Sequence, residues 1–165
     1  MTLYLLDANV LMRAHEDYYP VDRIPRYWEW LVEQAAANTI KMPRHIFDEI
    51  TPTAGPLADW LKRADVRETF VLREPVTHVR YVLEAGYAAD LDDIEIEKVG
   101  KDPFLIGAAL AAPDRVVVTK ETSKPSATRA NRKVPDVCKA LGIPAINDFR
   151  LYSILKFSIP LNASP

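Results

Sequence analysis

The chain has 165 residues and a formal net charge of −2, with 48% hydrophobic and 27% charged residues. This composition is that of a folded globular domain and not of a disordered segment, and a nearly neutral chain attracts nucleic acid only through a local basic patch. The single cysteine, Cys138, excludes an internal disulfide and argues against a zinc site, which usually needs several Cys or His ligands. We therefore expect one domain over residues 1–157, a frayed tail over 158–165, a reducing cytoplasmic location and no membrane association.

The predicted elements of the first half begin with a short apolar run over residues 3–6, which has the length of a buried parallel strand. This run ends at Asp7, and a helix is predicted to begin near Val10 with Asp7 or Asn9 as its cap. The pattern then predicts, in order, a helix over 25–37, a strand over 39–42, and helices over 44–50 and 57–63.

The second half again alternates strand and helix patterns, and its clearest strand covers 115–119, where β-branched residues follow one another. The other predicted elements are a minor strand over 69–72, helices over 76–89, 104–112, 135–141 and 148–157, a partly helical segment over 90–98, a loop over 120–133 and a strand over 143–146. Strands separated by helices indicate an α/β fold with a parallel sheet covered on both faces. Active sites of such sheets lie at the carboxyl ends of the strands.

Four acidic residues stand where they could meet at such an edge. Asp7 follows the first strand, Asp102 precedes a helix, and Glu121 shares a side of the chain with Thr119 at the end of the clearest strand. Glu49 borders the apolar face of the predicted 44–50 helix, so we expect it to be partly buried. Each acid taken alone is equally compatible with a helix cap or a solvated side chain.

Taken together, the four acids predict a metal site. Several carboxylates in one place repel each other and raise each other's pKa, and a bound divalent cation removes that penalty. Mg²⁺ and Mn²⁺ prefer oxygen ligands and keep several waters, which suits phosphate substrates. The chain has only 5 glycines and no glycine-rich phosphate loop, so a nucleotide-binding motif of that kind is excluded.

Four short motifs in this order resemble the PIN-domain family, and within it the single-domain toxin nucleases. They cover much of the chain between Leu3 and Ile154, and they are Leu5-Leu6-Asp7-Ala8-Asn9-Val10, Phe47-Asp48-Glu49-Ile50, Lys101-Asp102-Pro103-Phe104-Leu105-Ile106 and Val117-Val118-Thr119-Lys120-Glu121. The segments 18–30 and 134–138 are similar to a subgroup of PIN-like proteins known only as a domain of unknown function.

The resemblance implies a three-layer α/β/α fold with a mostly parallel sheet and the activity of a Mg²⁺- or Mn²⁺-dependent endoribonuclease. The residues that match the family's catalytic and metal-binding acids are Asp7, Glu49, Asp102 and Glu121. Glu121 stands where the family commonly has Asp, so its longer side chain puts its role in doubt. Asn9 and Thr119 match polar residues beside the metal. In the hypothetical mechanism, Asp7, Asp102 and Glu121 hold one or two cations, and Glu49 binds the metal or orients the attacking water.

The substrate and partners follow from the same resemblance. RNA hydrolysis would leave 5′-phosphate and 3′-hydroxyl ends, and an antitoxin protein and a homodimer are the expected partners. The RNA-binding surface is expected on the first helix and the basic loop, although that loop could equally be a solvated mobile segment. The cations concerned are Arg13, Lys120, Lys124, Arg129, Arg132 and Lys133.

Other readings of the acids stay open at this point. A non-catalytic PIN-like scaffold that binds RNA or protein would carry the same fold, and so would a nuclease that acts on DNA. A phosphatase of the aspartyl-nucleophile type is disfavoured because Asp7-Ala8-Asn9 lacks the second acid of an Asp-x-Asp motif.

Overall fold

The computed structural model describes residues 1–50, 52 and 54–161. Within these residues one parallel sheet has the strand order β3-β2-β1-β4-β5. Its strands are β1 (Leu3–Leu6), β2 (Ile40–Pro43), β3 (Val71–Leu72), β4 (Arg115–Val118) and β5 (Ala145–Ile146). The chain therefore runs outward from β1 through β2 to β3, and then crosses to the other side of β1 to form β4 and β5.

Helices connect the strands and cover the sheet. They are α1 (Ala8–Arg13), α2 (Pro25–Ala36), α3 (Arg44–Phe47), α4 (Pro56–Leu61), α5 (Ala64–Phe70), α6 (Val79–Tyr81), α7 (Asp93–Val99), α8 (Asp102–Leu110), α9 (Val134–Ala140) and α10 (Asp148–Ile154). Helix α8 packs against β1, β2 and β4 with α9 beside it, whereas α2 and α5 pack against β2. This arrangement confirms the predicted three-layer α/β/α fold, and all strand pairs in it are parallel.

The centre of the sheet lies between β1 and β4. Leu5 pairs with Val117 and Leu6 with Val118, and these four side chains are fully buried. The amide of Asp7 donates to the carbonyl oxygen of Val118 at 2.8 Å, so the carboxyl ends of the two strands lie side by side. The strand order reverses at this point, which is where open α/β sheets form their ligand crevice.

Two apolar groups of side chains hold the layers on the sheet. Tyr27, Trp28 and Trp30 of α2 are buried, and the Tyr27 hydroxyl lies 2.5 Å from that of Tyr152 in α10. Helix α8 is buried along most of its length, and a Cβ at Gly107 would lie only 2.5 Å from the carbonyl oxygen of Thr77. Glycine is therefore the residue that lets the segment before α6 lie directly on α8.

Several predicted boundaries were wrong. The helix predicted over 44–50 ends at Phe47, and Asp48 and Glu49 form a turn after it. Helix α5 was missed, and the segment predicted as one helix over 76–89 is a short α-helix that continues as a π-helix over Val82–Tyr87. The last helix ends at Ile154 and not near residue 157.

The predicted tail falls only partly within the description. Residues 158–161 are exposed and have no regular structure, and 162–165 lie outside the described residues. No helix in the described part of the chain has the length and apolar character needed to cross a membrane.

Candidate functional site

Asp7 is a buried carboxylate at the reversal point of the sheet, and its side chain is only 5% exposed. Its Oδ2 accepts hydrogen bonds from Thr119 Oγ1 at 2.8 Å and from Asn9 Nδ2 at 3.2 Å. It occupies the N-cap position of α1, yet its side chain makes no capping hydrogen bond to that helix. The polar contacts of this carboxylate thus run to the end of β4 and to its neighbour Asn9.

Hydrogen bonds of Asn9 and Thr119 connect the chain segments that follow β1 and β4. Asn9 Nδ2 lies 3.3 Å from Thr119 Oγ1, and Asn9 Oδ1 accepts from the amide of Lys120 at 3.0 Å. Thr119 is 2% exposed and its Oγ1 also accepts from the amide of Glu121 at 3.1 Å. The segment that carries Glu121 is therefore fixed relative to Asp7.

Asp102 lies beside these groups in the first turn of α8. The sequence suggested it as the N-cap, but Lys101 occupies that position and Asp102 belongs to the helix. Burial, and after it the negative charges of Asp7, Glu121 and Glu49, raise the pKa of Asp102 to about 8, while Lys133 opposes them. Three acids from distant parts of the chain are thus close enough to act on Asp102.

Asp7 experiences a similar environment. Its pKa is raised to about 6, mainly by burial; the hydrogen bond from Thr119 lowers it, and the charge of Glu121 raises it. The proximity of Asp7, Asp102 and Glu121 therefore makes it costly for all of them to be ionised together.

The two remaining acids of the site are Glu121 and Glu49. Glu121 is partly buried, and its Oε2 accepts from the amide of Val134 at the start of α9 at 2.7 Å. Glu49 lies in the turn after α3 and not on a helix, and it is exposed where we expected it to be partly buried. Although the side chain is exposed, the protein around its carboxylate removes part of its hydration, which raises the pKa of Glu49; the charge of Asp7 adds to this, and Lys101 lowers it. Glu49 is therefore the outermost of the four acids.

Tyr87 and Cys138 form part of the buried surroundings of the acids. The Tyr87 hydroxyl is buried without a hydrogen-bond partner among the described residues, and burial and the charge of Asp102 raise its pKa. Burial raises the pKa of the Cys138 thiol to about 12, followed by the charges of Asp7 and Asp102. Cys138 is fully buried in the core. The sequence gave no signal for Tyr87, because one tyrosine in an apolar segment normally packs.

A cavity of about 310 Å³ opens beside Asp102 and Glu121. Lys98, Lys124 and Lys133 line it together with these two acids. Cations beside a carboxylate group form a suitable place for the phosphates of a nucleic acid. Arg132 and Asn131 complete the polar lining.

The six predicted RNA-binding cations therefore divide into two groups. Lys124, Arg132 and Lys133 line the cavity. The others lie elsewhere and are engaged within the chain. Arg13 pairs with Asp17 at 2.5 Å, Lys120 with Asp148 at 3.2 Å, and Arg129 with Asp90 at 2.8 Å and Glu95 at 2.7 Å. The loop predicted over 120–133 contains one short helical turn at Arg129–Asn131.

The acids fit a hard divalent cation in their donor chemistry, since all are carboxylates and the orphaned hydroxyl of Tyr87 adds another oxygen. Within the described ranges, however, no three His, Cys, Asp or Glu side chains are spaced to hold one ion as they stand.

Comparison with known proteins gives one match. The family model described as a domain of unknown function, DUF4411, matches residues 4–159. No curated protein and no solved structure matches the chain.

Proposed function

We propose that this chain, which belongs to the DUF4411 family, is a metal-dependent endoribonuclease. The observation that supports the proposal most directly is the convergence of Asp7, Asp102 and Glu121 at the reversal point of a parallel sheet, with Glu49 at the outer side. The resemblance of the four motifs to PIN-domain nucleases supplies the reaction type.

Asp7, Asp102 and Glu121 are the residues proposed to hold Mg²⁺ or Mn²⁺. A bound ion of this kind would supply positive charge against the phosphate and lower the pKa of the attacking water. The hydrogen bonds from Thr119 and Asn9 fix the Asp7 carboxylate, and the amide of Val134 fixes Glu121. Such support keeps ligands oriented before the substrate arrives.

The other parts of the reaction fall to residues around this centre. Glu49 is exposed at the outer side of the acids, which suits a residue that orients the attacking water and accepts its proton. Lys124 and Lys133 line the neighbouring cavity and would bind phosphates that flank the scissile bond. The products would carry 5′-phosphate and 3′-hydroxyl ends, as the resemblance implies.

The variant Asp7→Asn tests the proposal. It keeps the shape of the side chain, so we expect a folded protein that takes up less Mn²⁺ and no longer cleaves RNA. Isothermal titration with Mn²⁺ and cleavage of labelled RNA are the measurements, and Asp22→Asn, an exposed acid in the turn before α2, is the control. Full activity of folded Asp7→Asn would count decisively against the assignment.

A second candidate is a non-catalytic scaffold that binds RNA or protein. The spacing of the acids favours it, because no ready three-ligand group exists in the described part of the chain. A scaffold should show no Mn²⁺ uptake that depends on Asp7, so the same titration separates the two. Parallel cleavage assays on DNA address the third alternative, a DNA-acting nuclease of the same fold.

The resemblance also leads us to propose a cytoplasmic toxin that an antitoxin protein blocks, with a homodimer as a possible assembly. Growth arrest on expression in cells without the antitoxin, abolished by Asp7→Asn, is the corresponding readout.

A further inference from the structure

A second cavity, of about 480 Å³, lies at the edge of the sheet beside β3. Val71 and Leu72 of this strand form part of its apolar wall. Arg44, Arg67 and Arg73 contribute three guanidinium groups, and two carboxylates, Glu68 and Glu74, lie beside them. The cavity lies at the carboxyl ends of β2 and β3, the same side of the sheet on which the acids follow β1 and β4. We refer to it as the arginine groove.

Some charged side chains in and around the arginine groove have an ion-pair partner, and others do not. Asp48 pairs with Arg67 at 2.9 Å and with Arg44 at 3.6 Å, and Glu74 pairs with Arg115. Arg73 is exposed and has no carboxylate partner within ion-pair distance among the residues described. Its guanidinium is therefore the group in this groove that is available to an anion from solution.

The arginine groove shares a wall with the acid site. The ring of His45 stacks on that of Phe104 with centroids 3.9 Å apart and planes at 23°. Phe104 lies in the same turn of α8 as Asp102, and the charge of Lys101 acts on both His45 and Glu49. The Nδ1 of His45 is buried without a hydrogen-bond partner in the described structure.

We infer that the arginine groove binds a phosphodiester of the RNA strand beyond the scissile bond, with Arg73 as the main contact. In the strand order, the arginine groove beside β3 and the cavity beside Asp102 and Glu121, which follows β4, lie on opposite sides of β1 and Asp7. A single strand that crosses this edge of the sheet would therefore meet cations on both sides of Asp7. A groove of cations that follows the backbone is the electrostatic part of single-strand binding sites. This inference rests on the proposed function for the identity of its ligand.

The test is the salt dependence of binding. A labelled single-stranded RNA of about 12 nucleotides is titrated with wild type and Arg73→Gln in EDTA, where no cleavage interferes. We expect Arg73→Gln to weaken binding about fivefold at low salt. We also expect the slope of log K against log salt to fall by about 0.7, the change for one lost phosphate contact on a single strand. Arg23→Gln, an exposed arginine in the turn before α2, should leave both quantities unchanged.

Equal slopes for wild type and Arg73→Gln would overturn the inference, and so would a folded wild type that binds no RNA. Loss of affinity for poly-glutamate in Arg73→Gln with no loss for RNA would also overturn it, in favour of an acidic protein partner. Failure of the proposed function gives a different result: wild type with Mn²⁺ would cleave no RNA, or Asp7→Asn would cleave it as well as wild type, while the salt slopes measured in EDTA would still decide the groove.

Discussion

Asp102 is the residue whose protonation depends most clearly on the arrangement of the site. Its pKa in the folded chain is about 8 against 3.8 for an ordinary Asp, because burial and three neighbouring acids disfavour its charge. Between these two pKa values, the Asp102 carboxyl is therefore protonated in the folded state and ionised in the unfolded state. Stability of the metal-free protein must then fall as pH rises from about 4 to about 8.

This direction of the pH dependence of stability gives a prediction for Asp102→Asn. Wild type in EDTA should lose up to about 1.4 kcal/mol of unfolding free energy per pH unit from this group, and the variant should lose less. Urea denaturation at about pH 5.5 and about pH 7.5 measures the difference. Asp22→Asn provides the control because it removes an exposed acid outside the site. A pH dependence in Asp102→Asn as steep as in wild type would show that Asp102 is ionised in the fold.

Single residues differ in how far the sequence could predict them. Asp7 could be placed because it follows a buried strand directly, and Asp102 because it opens an apolar helix. The exposure of Glu49 could not be foreseen, since it depends on α3 ending at Phe47. Tyr87 was missed because its position depends on which side of a π-helix meets the acids, and periodicity does not show that.

At the scale of elements, the contact between the loop after β4 and helix α10 is the one whose mutation should affect stability most. Lys120 Nζ lies 3.2 Å from Asp148 Oδ1 and within 4.8 Å of the ring centroids of Tyr18 and Phe149. The Asp148 side chain is 1% exposed, and its Oδ2 has no partner among the described residues. The buried carboxylate thus depends on a single cation for compensation.

We predict that Lys120→Met destabilises the fold by about 3 kcal/mol, because it leaves that carboxylate buried and unpaired. The double variant Lys120→Met with Asp148→Asn should recover most of the loss. Urea unfolding measures both, and Lys124→Met in the same loop should change stability by less than about 0.5 kcal/mol. If Lys120→Met and Lys124→Met unfold at the same urea concentration, the ion pair does not support this loop.

The elements themselves were largely predictable where local pattern and burial agree. The strands were found within a few residues because short apolar runs suit buried parallel strands, and β4 is in addition rich in β-branched side chains. Helix α5 was missed because Asp65, Arg67 and Glu68 make its segment polar, and its buried face consists of Val66 and Phe70 alone. Helix length there is decided by tertiary packing and not by propensity.

At the scale of the whole molecule, strand order is what brings the acids together. The sequence predicts a parallel sheet, but it does not specify that β4 pairs with β1 and β3 lies at the edge. That order places Asp7 and the Thr119–Glu121 segment side by side, and α8 across β1 and β4 then brings Asp102 to them. The four acids, each only a weak signal in the sequence, thereby form one cluster of negative charges.

A cluster of acids of this kind should couple the binding of a cation to the stability of the whole fold. A ligand that binds only the folded state stabilises it by about 2.7 kcal/mol at 100 times its dissociation constant, so Mn²⁺ should raise the thermal midpoint of wild type. Protons compete for the same carboxylates, because the pKa of Asp7 is about 6 and that of Asp102 about 8. The increase should therefore be larger at about pH 8 than at about pH 5.5. Asp102→Asn should show little increase at either pH, whereas an increase equal to that of wild type would mean that Mn²⁺ binds elsewhere on the chain.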